Sequence, residues 1–136
     1  FFTKSKINNA IFKFRIFKVA ENSMPGEDIL KNDLIVKVKE GKNFVTVNLE
    51  ELQIKIPKDG LYIAAEWITL KTNAVVKTPK IEGVKQSLNF YQPHFCMEYK
   101  GSNLNKWIYT KGKWFPQYIQ KNNQYWQLAA EITLTD

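Results

Sequence analysis

Three glutamates set the question of chemistry. Glu66 lies in "KDGLYIAAEWITL", beside Trp67 in an apolar run, and Glu98 and Glu131 lie in or near other apolar runs. Glycoside hydrolysis needs two carboxylates facing each other, one of them raised in pKa by apolar surroundings. Glu66 and Glu131 form the pair such an enzyme would use. The spacing carries no further signature, so the reading favoured for each is a solvent-facing or edge position on a strand, paired with Lys. His94 is the sole histidine, and Cys96, two residues on, is the sole cysteine. A Cys–His dyad would have to use both, but after Pro93 they read as a strand-entry residue and a buried, inert thiol.

Metal and phosphate motifs are equally thin. One His and one Cys cannot close a zinc site. Glu27, Asp28 and Asp33 in "PGEDILKND" could surround calcium, yet three acids at a turn also describe an ordinary exposed turn. The six glycines are scattered singly, so there is no phosphate-cradling loop. The expectation is no catalytic residue, no metal and no cofactor.

Aromatic residues are the stronger signal. Trp107, Tyr109, Trp114, Phe115, Tyr118, Tyr125 and Trp126 crowd one stretch, interleaved with Lys, Gln and Asn. Sugar rings stack on exposed aromatics flanked by amides. Tyr109, Trp114, Phe115 and Tyr118 are therefore the candidate ligand-binding residues. Packing competes with that role and is the favoured reading, with Trp107 and Trp126 in core and cross-strand contacts and Trp114 on a hairpin that covers the end of the sheet.

The net charge of +7 comes from 20 basic residues against 13 acidic ones, and Arg15 is the only arginine. Base recognition leans on the planar guanidinium fork, so this composition disfavours nucleic acid as a partner. The lysines are dispersed, as on a solvated surface. A Lys-rich stretch, 71–87, is the place where a polyanion binder would act; otherwise it reads as a long exposed loop. No stretch reaches the roughly 18 apolar residues of a membrane span.

Two-residue alternation dominates the elements that must position these groups. In "IFKFRIFKV", Phe12, Phe14 and Ile16 share one face, while Lys13 and Arg15 lie on the other. Pro25-Gly26 suits a type II turn, and "LIVKVKEGKNFVTVNL" reads as a hairpin around Gly41. "LEELQI" allows one helical turn before Pro57. The strand from Leu61 has no plainly polar face, which places it centrally with Trp67 in the core, where Trp67→Ala would cost roughly 3–5 kcal/mol. Strands resume at "HFCMEY" and "KWIYT", Gly112-Lys113 turns into Trp114 and Phe115, and "YWQLAAEITLTD" closes the chain. Eight or nine strands without crossover helices imply antiparallel pairing. The fold expected for 1–136 is a single all-β domain, a two-sheet antiparallel β-sandwich, jelly-roll-like.

The order of these elements resembles the jelly-roll-like sandwich modules of envelope and secreted proteins of Gram-negative bacteria, of the kind that follows a carboxypeptidase-regulatory-like domain. The residues that carry the likeness are "FKFRIFKV", "MPGEDIL", "VTVNLEELQIKIPKDGLYIAAEWI", "WIYTKGKWFPQY" and "WQLAAEITLTD". They encode turns and packing and span most of the chain outside 71–87. The resemblance implies an exported, non-catalytic accessory module, a fragment of a longer chain, whose partner is glycan or another envelope protein.

Overall fold

The computed structural model describes residues 1–78, 86–100, 106–117, 120–121 and 124–134. The chain is all-β, and every strand pairing is antiparallel. The sheet that carries the core is built on β2 (Ala10–Val19). Its two long edges take β6 (Leu61–Trp67) on one side and, on the other, β4 (Leu34–Val38) followed by β3 (Pro25–Asp28). A second sheet has β1 (Phe2–Ser5) between β5 (Gly41–Phe44) and β9 (His94–Phe95).

The alternation of β2 produces the core directly. Ala10, Phe12, Phe14 and Ile16 point inward and are buried with Val36 and Val38 of β4. Phe1, Val45, Val47 and Phe95, from the ends of the second sheet's strands, pack onto this cluster. The rings of Phe1 and Phe95 meet Phe12 edge to face at 5.9 and 5.0 Å. Antiparallel sheets that share one apolar cluster are consistent with the expected sandwich class.

Three smaller sheets complete the described chain. β7 (Ala74–Lys77) pairs with β8 (Leu88–Tyr91), and β11 (Trp107–Thr110) pairs with β12 (Lys113–Pro116). β10 (Met97–Lys100) pairs with β14 (Gln124–Leu128), which also takes β13 (Gln120–Lys121). Cys96 joins this last group to the second sheet: its N–H donates to Phe2 O, and its carbonyl accepts from Ala129 N. The Cys96 thiol is free and half-buried.

Several expectations are corrected. Pro25 and Gly26 begin β3 instead of forming the turn; the reversal lies just upstream, where Ala20 N donates to Met24 O and Ser23 takes a φ of 61°. The stretch around Gly41 (φ 96°) is no hairpin, because β4 pairs with β2 whereas β5 pairs with β1. It carries the chain from one sheet to the other. The supposed loop 71–87 holds a 3-10 turn at Lys71–Asn73 and the strand β7, which pairs with β8 just beyond it, with 79–85 lying outside the described residues. The final alternation of the sequence forms a strand only to Leu128; Ile132 and Leu134 beyond it are exposed. The single turn expected in "LEELQI" is present as a 3-10 turn at Glu50–Leu52.

β6 departs furthest from its sequence reading. Among the described residues it pairs with β2 alone, so it is an edge strand, and Trp67 is 52% exposed. The indole keeps one anchor, an N–H donated to Pro93 O at 2.7 Å, and lies against Phe95. Trp67→Ala is therefore expected to cost roughly 1–2 kcal/mol, the scale of one hydrogen bond and a partial ring contact. A urea midpoint measured on this variant separates that value from the 3–5 kcal/mol of a fully buried ring.

Candidate functional site

The β11–β12 hairpin closes through Lys111 (φ 50°) and Gly112 (φ 76°). Positive φ at both central residues is the signature of a type I′ turn, whose twist matches that of paired strands. The resulting register sets Tyr109 opposite Trp114 and Ile108 opposite Phe115. Side chains alternate along a strand, so Tyr109 and Trp114 share one face and Phe115 lies on the other with Ile108. The structure thus divides the candidate residues: two form a pair, Phe115 faces away from them, and Tyr118 lies outside the described residues.

Trp114 is not a free platform. Its ring meets Phe17 of β2 edge to face at 5.2 Å and meets Tyr109 at 5.0 Å. Arg15 lies 5.9 Å from the Phe17 ring centroid. The exposed member is Tyr109, at 59%, held in orientation by Trp114 behind it. Trp107 anchors the hairpin's first strand: its indole N–H donates to Tyr62 Oη at 3.2 Å, and that hydroxyl donates to Ser23 O at 2.7 Å.

Tyr62 also lines an open cleft of about 790 Å³, together with Lys106, Gln127, Asp59 and Glu21. Gln127 donates to Glu98 Oε1 at 3.0 Å, while its own amide oxygen is buried without a hydrogen-bond partner among the described residues. Burial lowers the Lys106 pKa. Nothing in the sequence links Tyr62, Lys106 and Gln127. They come from three separated segments, and only the tertiary fold places them round one hollow.

The two glutamates that a hydrolase would have to pair, Glu66 and Glu131, do not line this cleft. Glu66 extends over the outer face of β2, where Arg15 Nη1 lies 3.2 Å from it. The same face carries Arg15–Asp28 at 2.6 Å and Lys13–Asp33 at 2.7 Å. Glu131 is exposed. The acids proposed for calcium are already matched with cations, Glu27 by Lys18 at 2.6 Å and the two aspartates as above. The ammonium groups hydrogen-bonded to Glu27 and Asp33 hold both carboxyls below their ordinary values. Among the described residues no three His, Cys, Asp or Glu side chains gather to hold a metal, and no helix is long and apolar enough to cross a membrane.

His94 is engaged elsewhere. Its Nε2 lies 3.0 Å from Gln92 Nε2, which leaves that nitrogen unavailable as a base toward Cys96. Burial lowers the His94 pKa, and the positive charges of Lys77, Lys6 and Lys4 lower it further.

Compared with protein-family models, curated proteins and solved structures, the chain gives no match.

Proposed function

We propose that this chain is a non-catalytic accessory module of an exported envelope protein, a jelly-roll-like sandwich that binds glycan at the β11–β12 hairpin. One observation supports the reading most: an exposed tyrosine ring, Tyr109, fixed in orientation by a tryptophan that is itself docked on the core sheet. A ring ordered in advance loses little freedom on binding, and its face accepts the C–H surface of a sugar. The neighbouring cleft adds what an aromatic face lacks, hydroxyl-directed polar groups on Lys106, Gln127 and Asp59.

Another envelope protein is the second partner class. The opposite face of the hairpin favours it, because Ile108 and Phe115 expose a contiguous apolar pair there.

A glycan array on wild type and Tyr109→Ala tests the glycan reading. Tyr109→Ala is expected to lose about tenfold in affinity for any glycan that wild type retains, an aromatic stacking contribution of roughly 1 kcal/mol or more, with an unchanged urea midpoint. Absence of any retained glycan, or equal retention by the variant, removes this function from the hairpin.

A further inference from the structure

Basic side chains gather where β1, β5, β7 and β9 meet. In the β5–β1–β9 ladder Lys4 stands opposite Lys42 on one side and opposite His94 on the other, so the three share a face. Just past β1, Lys6 neighbours Lys77 at the end of β7, and that interaction holds the Lys6 pKa below its ordinary value. All five side chains are exposed. Among the described residues the ion pairs fall on Lys13, Arg15 and Lys18, and none reaches this cluster. Lys77 has a ring beneath it instead, with Nζ 5.4 Å from the Phe90 centroid.

Like charges set directly opposite one another weaken a sheet. This fold nevertheless collects them at one place with no carboxylate of the described residues among them, an arrangement that a bound anion would relieve. We propose that Lys4, Lys6, Lys77 and His94 form a binding site for a tetrahedral oxyanion, a phosphate or phosphomonoester group.

The residue types fit that ligand. Ammonium groups on flexible stems act as point charges that close round a tetrahedron, whereas planar carboxylates and base edges call for the arginine fork, which is missing here. The histidine is held in one tautomer. Gln92 Oε1 accepts the Lys6 backbone N–H at 3.1 Å, so the Gln92 amide nitrogen must face the imidazole. That nitrogen donates, Nε2 of His94 accepts, and Nδ1–H is left as the ring's donor. A neutral imidazole thus contributes a hydrogen bond while the lysines contribute charge. Gln92 itself is fully buried, which fixes the ring from below.

Among the described residues the charged groups facing His94 are Lys4 on β1, Lys6 after it and Lys77 on β7. A bound anion offsets all three, so it raises the pKa of the imidazole. Because His94 is the only histidine of the chain, its ring C–H proton resonances report on the site alone.

The experiment is a proton NMR titration of the whole chain with sodium phosphate, against sodium chloride at matched ionic strength. The expected result is a saturable shift of the His94 resonances and a raised apparent pKa with phosphate only. The Lys6→Gln/Lys77→Gln double variant is expected to bind about tenfold more weakly, through loss of two charge-assisted contacts. Lys37→Gln, which removes an exposed charge from β4, binds as wild type. A parallel titration with tripolyphosphate distinguishes the source: tighter saturation than with phosphate identifies a phosphorylated polymer, and equal saturation identifies the single group. A response to phosphate no different from that to chloride overturns the proposal. So does a double variant that keeps the native circular dichroism spectrum and binds phosphate as wild type does.

Discussion

Phe12→Ala is expected to lower the free energy of unfolding by about 3–5 kcal/mol. Phe12 has no exposed surface and sits midway along the inner face of β2. Its ring is held by partners belonging to both layers: Phe95 on β9, Phe1 ahead of β1, and the buried Val36 opposite it on β4. Phe1 is tied down in turn, by its own contact with Phe14 at 5.6 Å and by backbone hydrogen bonds to Val45 in both directions. None of these neighbours can close over the void without breaking its own ladder, which is the condition under which a cavity keeps its full cost. Phe44→Ala is the control. Phe44 lies on the edge strand β5, is 82% exposed and touches Phe2 at 4.8 Å, so its removal is expected to cost less than about 1 kcal/mol. Urea unfolding of both variants makes the comparison, and equal losses would mean that Phe12 is not the centre of the core.

The part of this architecture that could be read in the sequence is the part fixed by near neighbours along the chain. The two-residue period of "IFKFRIFKV" places Phe12, Phe14 and Ile16 on one face irrespective of what pairs with β2. The glycine marks the hairpin, although its two turn residues are Lys111 and Gly112, one position before the Gly112-Lys113 expected, and that register alone brings Tyr109 against Trp114 and turns Phe115 away. Partners distant in sequence leave no such trace. The alternation of β4 and β5 is real, but nothing in "VKEGKNF" says that the second strand will leave the first and join β1. Apolar residues on both faces of β6 suggested a central strand. Exposure depends on what lies beyond the strand, and β6 has β2 on one side only among the described residues. The cluster of Lys4, Lys6, Lys77 and His94 comes from three remote segments. In the sequence those lysines look like dispersed surface charge; in the fold they are neighbours.

Asn73→Ala is expected to cost about 3–5 kcal/mol, as much as loss of a large core side chain, because one buried amide satisfies three backbone groups. The sequence hides this residue in a polar, Lys-rich stretch, yet it is 1% exposed. The β2–β6 ladder ends at Phe12 and Trp67, which would leave the next pair of β2 hydrogen-bonding groups facing nothing. Asn73 supplies them. Its Oδ1 accepts from Ile11 N at 3.0 Å, and its Nδ2 donates to Ile11 O at 2.7 Å and to Ile68 O at 2.9 Å. The side-chain amide stands in for the peptide unit a longer strand would have provided, with both donor and acceptor matched. Truncation strands all three groups at once. Asn73→Asp isolates the donors from the packing, since it keeps the shape and the acceptor but sets a carboxylate against two carbonyl oxygens. That repulsion raises the native-state pKa of the new carboxyl above its unfolded value near 4. Relative to wild type, the variant is then least impaired below that unfolded value, where the protonated carboxyl donates one of the lost hydrogen bonds. It loses stability as the pH rises through the raised native-state pKa. Urea midpoints taken across that range should fall with rising pH for Asn73→Asp relative to wild type, and stay level for Asn73→Ala relative to wild type. A flat difference for both variants would mean that water, and not the amide, completes the end of the ladder.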